Sequence, residues 1–188
     1  ITDRGNMMGC FHFIKAIKNY NISIEEGSEK SKIKPIIGCE LNVCSNHKDK
    51  SNRDDGYQIV FLAKNKNGYK NLSKMCSIGY TEGFYYVPRV DRKIIEEYKS
   101  DLIVLSGNMY GEIASKLLNV GESQAEEALI YWKNLFADDF YLEMMKHGQE
   151  DEDRVNDTLL EFSKSHDVKI VPTNNSFYLN KEDANAHD

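Results

Sequence analysis

Residues 57–80 read YQIVFLAKNKNGYKNLSKMCSIGY, and this stretch decides the fold class. Its first part, 57–64, is a continuous apolar run of strand length, the pattern of a strand covered on both faces. From about Lys66 to Tyr80 the period becomes helical. A doubly buried strand followed at once by a helix is the repeating unit of an α/β fold. The alternation continues upstream. Residues 6–19 place Met7, Cys10, Phe11, Ile14 and Ile17 on one helical face, and 34–45 form a strand opened by Pro35. The polar stretch 21–32 reads as a surface loop or insertion, and 46–56 as a charged loop with no apolar anchor.

Downstream, a Gly- and Tyr-rich turn at 83–86 leads to a short helix at 90–98, and 101–107 is a second doubly buried strand. Helices follow at 111–120 and 122–136, the latter with a core stripe of Ala125, Ala128, Leu129, Trp132, Leu135 and Phe136. Residues 140–146 read as a strand. Residues 150–166 read as a helix with Val155, Leu159 and Phe162 inward and acids in its first turn, where the dipole favours them. The last strand is 168–174. Five strands separated by helices, after a truncated first strand that ends at Asp3 and Arg4, predict a mainly parallel sheet or barrel.

Composition narrows the function. The chain has 188 residues, 24 Lys plus Arg against 30 Asp plus Glu, and a formal charge of −6. It is 40% hydrophobic, enough for a core, so disorder is excluded. A pI near 5.4 argues against a chain whose main task is neutralising phosphate backbones. No apolar run approaches the ~20 residues of a membrane helix, so the expectation is a soluble, cytoplasmic protein without membrane contact. Cys39 and Cys44 lie on opposite faces of one strand and cannot easily pair, and Cys10 and Cys76 sit in apolar helical stretches; four reduced thiols are expected. The start at Ile1 without Met, and the end at Asp188 inside a helical pattern, read as a single-domain piece of a longer protein.

In alternating folds the chemistry sits at the carboxyl ends of strands. Here those ends carry Asp3, Arg4, Glu40, residues 106–108, His147 and residues 174–177. GxGxxG, GxxxxGK[ST], HExxH and GxSxG are all absent. His12, His47 and His166 read as solvated or capping residues, whereas His147 stands just past a strand end and is a site candidate. Glu40, an acid in an apolar strand, needs either an ion-pair partner or a function.

Six segments in order, ITDRGNM (1–7), KPIIGCE (34–40), LAKNKNGYKNL (62–72), GFYYVPRVD (83–91), VLSG (104–107) and VPTNNSFYL (171–179), resemble the polymerase-and-histidinol-phosphatase (PHP) domain of bacterial replicative DNA polymerase III alpha subunits. The likeness spans essentially the whole chain, and the 21–32 insertion and Asn-Asn-Ser motif look like the Bacteroidetes branch. The resemblance implies a distorted (β/α)7 barrel whose strand tips in active relatives hold two or three metal ions for phosphoester hydrolysis. The family's His-x-His motif would lie upstream of Ile1, and without that strand the barrel would be open, exposing an edge that promotes association.

The remaining ligand positions are eroded. In the second motif, usually Thr-Asp-His-Gly-Asn, Asp3 is kept but the histidine position is Arg4, which cannot ligate. Glu40 matches an acidic ligand. Gln58 stands at a histidine position, Asn108 at a cysteine position, and Asn174-Asn175-Ser176-Phe177 replaces Asn-Asp-x-His, so Asn175 and Phe177 lose both its ligands. An Arg4–Glu40 salt bridge filling the former site is expected, and its loss would cost a few kcal/mol. Lys66, Lys70 and Lys74 fall on one helix face, either a solvated face or a phosphate or partner contact.

The resemblance thus implies an inactive, metal-free scaffold within an Mg²⁺-dependent DNA-directed polymerase, a nucleotidyltransferase whose catalytic residues lie downstream. Its partners would be the rest of that chain, the proofreading exonuclease subunit and other replisome proteins, with DNA reached through the parent. The alternative is a Zn²⁺- or Mn²⁺-dependent 3′ to 5′ exonuclease or phosphoesterase.

Overall fold

A computed structural model describes residues 1–24 and 29–187, so part of the 21–32 loop lies outside the described residues. The chain runs β1 (Thr2–Arg4), α1 (Cys10–Ser23), β2 (Gly38–Cys44), β3 (Tyr57–Ala63), α2 (Lys66–Thr81), β4 (Arg89–Asp91), α3 (Arg92–Tyr98) and β5 (Leu102–Leu105). It continues through α4 (Glu112–Asn119), α5 (Glu122–Phe136), β6 (Phe140–Met144), α6 (Glu152–His166), β7 (Lys169–Pro172) and α7 (Ala184–His187). No helix among the described residues is long and apolar enough to cross a membrane.

One seven-stranded sheet organises the molecule in the order β1-β2-β3-β5-β6-β7, with β4 attached to β2. The pairings are parallel except the two made by β3, which runs against both β2 and β5. Strand direction was not legible, because an apolar run reports burial on two faces and not polarity. β4 is a further difference, since residues 90–98 read only as a helix. Asp91 divides the two elements: its Oδ1 accepts from the N–H groups of Lys93 and Ile94 at 3.1 and 3.2 Å and caps α3. The sheet does not close; β1 and β7 are its two ends among the described residues.

Alternation along the strands sorts side chains onto two faces. Cys39, Leu41, Phe61, Val104 and Leu142 pack under the helices, and Trp132 of α5 is fully buried, edge-on to Phe61 at 6.3 Å. The predicted α5 stripe is core, with Leu135 only partly buried. Asn65 starts α2 by accepting from the N–H groups of Asn67 and Gly68. A Cβ at Gly68 would stand 2.1 Å from the Asp101 carbonyl oxygen, so only glycine lets this helix meet that loop.

The apolar face read along α1 is only partly covered: Cys10 is buried, but Phe11 is 70% and Ile14 40% exposed. Helical spacing identifies an apolar stripe without saying what covers it. The 46–56 loop is held by a polar anchor. Arg89, only 1% exposed, donates to the carbonyls of His47, Asp49, Asp54 and Gly83. His47 is buried rather than solvated, its Nδ1 2.6 Å from Asp91 Oδ2. Charged anchors some forty residues away leave no local apolar signal.

Candidate functional site

The face of the sheet opposite the core is concave, and it lines an open cleft of about 910 Å³. Register builds its floor. Parallel pairing sets Arg4 beside Glu40, and antiparallel pairing sets Glu40 beside Val60. Because paired residues share a face, both side chains rise into the cleft. Arg4 Nε lies 2.9 Å from Glu40 Oε1, with the arginine side chain half-exposed and the glutamate 11% exposed. The guanidinium also lies 5.0 Å from the centre of the Phe177 ring, which closes over it from the segment beyond β7. Burial pushes the Glu40 carboxyl up, and the charge and hydrogen bond of Arg4 pull part of that back.

A second acid faces the same space, and it is the residue that sequence reading missed. Glu143 of β6 is 5% exposed; its Oε1 accepts from Thr173 Oγ1 at 2.6 Å, while its Oε2 has no hydrogen-bond partner. Burial pushes its carboxyl up, and the nearby Glu40 adds to the effect. The signal that singled out Glu40, an acid in an apolar strand, is present in the sequence FYLEM as well. Glu143 also borders a small cavity of about 20 Å³ lined by Ser106, Asn108 and Glu152, room for about one water.

The other sequence candidates divide into neighbouring groups. Asp3 lines the cleft but commits Oδ2 to the Gly9 N–H at 2.8 Å, ahead of α1. Gln58 and Asn108 pair with each other, Asn108 Nδ2 donating to Gln58 Oε1 at 3.3 Å. Gly107 makes that approach possible: at φ +85° its backbone suits glycine, and a Cβ there would meet the Gln58 carbonyl oxygen at 2.0 Å. Neither amide lines the large cleft. His147 stands beside it, Nε2 2.7 Å from Asn174 Oδ1 and Nδ1 3.1 Å from Glu152 Oε1. Hydrogen bonds to Asn174 and then Glu152 raise its imidazole pKa. Asn175 turns its backbone N–H toward His147 Nε2 at 3.5 Å.

Lys66, Lys70 and Lys74 are exposed on α2, and none forms an ion pair among the described residues. His12 is exposed, and His166 bonds Glu126 at 2.7 Å. Away from the cleft, the buried Glu112 gathers Arg92, Lys116 and the Trp132 indole N–H at 2.8, 2.8 and 2.9 Å. Burial opposes its charge, but Lys116 and Arg92 outweigh that and hold its carboxyl below the usual range.

Chemically, the cleft offers the buried carboxylate of Glu143, the partly exposed ones of Glu40 and Asp3, one built-in cation and a rim of neutral amides. Among the described residues no three His, Cys, Asp or Glu side chains are grouped to hold a metal ion. The donor set does not fit the metal centre that the resemblance implies: the guanidinium already occupies Glu40, and Asn and Phe supply no anionic ligands.

Comparison with known proteins agrees with the family resemblance. A family model described as "PHP domain" matches residues 1–147. The chain is 39% identical over its whole length to the DNA polymerase III subunit alpha of Borreliella burgdorferi, 36% to that of Thermus aquaticus and 33% to that of Deinococcus radiodurans. It spans 16%, 15% and 14% of those proteins, respectively.

Proposed function

The chain belongs to the PHP domain family, and on that premise we propose that it is the PHP domain of a cytoplasmic, replicative DNA polymerase alpha subunit, its cleft a metal-free scaffold. The observation that carries this reading is the Arg4–Glu40 pair at 2.9 Å. A divalent ion needs anionic or imidazole ligands at short range, and a fixed guanidinium among them both neutralises the acid and repels the ion. The cleft amides of Asn174 and Asn175, and the neighbouring Gln58–Asn108 pair outside it, supply no charge to compensate a metal ion. DNA-templated nucleotidyl transfer, with its Mg²⁺, belongs to the remainder of the longer protein.

A scaffold works through contacts. Support comes from apolar residues that the described chain leaves open: Met8, Phe11 and Ile22 near α1 are 80%, 70% and 72% exposed, more than a surface needs without a neighbour. The rest of the polymerase chain is the first partner to expect there, with the proofreading exonuclease and other replisome proteins beyond it. Lys66, Lys70 and Lys74 offer a cationic strip for such a partner or for a phosphate backbone.

The second reading is a metal-dependent 3′ to 5′ exonuclease or phosphoesterase using Zn²⁺ or Mn²⁺. Glu143 favours it, because a buried carboxylate oxygen without a partner is a ready cation contact. Elemental analysis of the intact protein after exposure to zinc and manganese separates the two. Well under one ion per chain and no hydrolysis of single-stranded DNA ends is the expected result. Two or more ions, with end hydrolysis lost in Glu40→Gln, would overturn the scaffold reading.

A further inference from the structure

All four cysteines are free, and two of them touch. Cys39 of β2 and Cys76 of α2 lie 37 positions apart in the chain, yet their sulfurs stand 3.5 Å apart on the helix-covered side of the sheet. Cys39 is fully buried, whereas Cys76 is partly exposed. Of the remaining thiols, the Cys44 sulfur lies 3.4 Å from the Val90 carbonyl oxygen, and Cys10 is buried at the start of α1 without a sulfur contact among the hydrogen bonds of the described residues. Neither the metal-free scaffold nor its alternative uses this pair.

We propose that Cys39 and Cys76 form an oxidisable thiol pair that closes to a disulfide between β2 and α2 when a small peroxide reaches Cys76. The first step forms an S–O bond at Cys76 while the O–O bond of hydrogen peroxide breaks; the departing hydroxide takes the thiol proton and leaves as water. Cys39 then attacks the Cys76 sulfur, the S–O bond breaks, and the leaving hydroxide takes the Cys39 proton as a second water. Two thiols lose two electrons, and one peroxide becomes two waters.

Closure asks the sulfurs to move from 3.5 Å to about 2.05 Å, a shift within reach of side-chain rotation. The burial gradient sets the order of events, since the accessible sulfur meets the oxidant and the buried one resolves it. Because Cys39 directly precedes Glu40 on β2, the bond would tie the strand that carries the cleft's floor to the helix that bears Lys66, Lys70 and Lys74.

The test treats the intact protein with hydrogen peroxide, blocks remaining thiols with an alkylating agent and maps tryptic peptides by mass spectrometry. Peptides 33–48 and 75–89 should appear cross-linked with a mass lower by two hydrogens, and dithiothreitol should release them. Peptide 33–48 holds both Cys39 and Cys44, so fragmentation between them assigns the bond. The link should persist in Cys10→Ser and Cys44→Ser and vanish in Cys76→Ser. A Cys76 bridge to Cys10 or Cys44 would overturn the proposal, as would oxidation of Cys76 to sulfinic acid with Cys39 still alkylatable. The wild-type map decides even where a variant fails to fold.

Discussion

Arg4 Nε lies 2.9 Å from Glu40 Oε1, and the two residues are direct partners in the parallel pairing of β1 with β2. The contact is therefore a product of strand register. A one-residue slip would send Arg4 to the opposite face and leave Glu40 alone in the cleft. The pair lies between two regimes, because the arginine is half-exposed and the glutamate nearly buried. Arg4→Ala should cost about 1–2 kcal/mol, above an exposed pair and below a buried one. Urea unfolding of the two proteins checks this, and a loss under about 0.5 kcal/mol would mean that the pair carries no stability.

Glu143 should make the fold sensitive to rising pH. Its folded carboxyl titrates above the unfolded value, because burial and Glu40 disfavour the charge. The folded state therefore binds more protons in that window, and stability falls as pH rises from the unfolded carboxylate value through the folded one. Glu143→Gln should flatten this part of the profile. An unchanged slope in chemical unfolding across the window would show that Glu143 does not set it.

His147 has the same sign from a different cause. Asn174 and Glu152 accept from the charged ring, so its stabilisation is complete below the unfolded imidazole pKa and is lost as pH rises through the higher folded value. Ring-proton NMR should place its midpoint above about 6.5. Asn174→Ala should bring the midpoint down, and one that stays put would remove Asn174 as the principal cause.

Glu112 ties α3, α4 and α5 together through Arg92, Lys116 and Trp132. Its replacement by alanine leaves the buried Trp132 indole N–H without its acceptor and separates Arg92 from Lys116. The expected loss is about 3 kcal/mol. A double-mutant cycle with Trp132→Phe should show coupling, because the two changes remove the same hydrogen bond. Additive effects would place the stability elsewhere.

Periodicity alone located nearly every element, because a strand buried on both sides and an amphipathic helix each leave a local apolar pattern, as 57–63 and 122–136 show. Glu40 was legible for the same reason, a charge that interrupts an apolar strand. The α1 stripe marks the limit of this rule: its spacing is real, but burial depends on a neighbour that local sequence does not name. His47, read as solvated, and Arg89, which drew no reading, show the converse, since polar anchors for the 46–56 loop resemble ordinary solvated residues until tertiary structure encloses them.

The sequence by itself determined the α/β alternation, the core stripe of α5 and the order of the six motif segments, while the resemblance they carry added the expectation that Arg4, Gln58, Asn108, Asn175 and Phe177 stand at positions of metal ligands. Tertiary structure alone decided that β3 runs antiparallel, that Glu143 joins Glu40 in the cleft, that His147 bridges Glu152 and Asn174, and that Cys39 meets Cys76. The division has one physical origin. Local periodicity reports which face of an element is apolar, whereas strand direction, register and long-range pairing arise from how distant elements pack, and no window along the chain contains both partners.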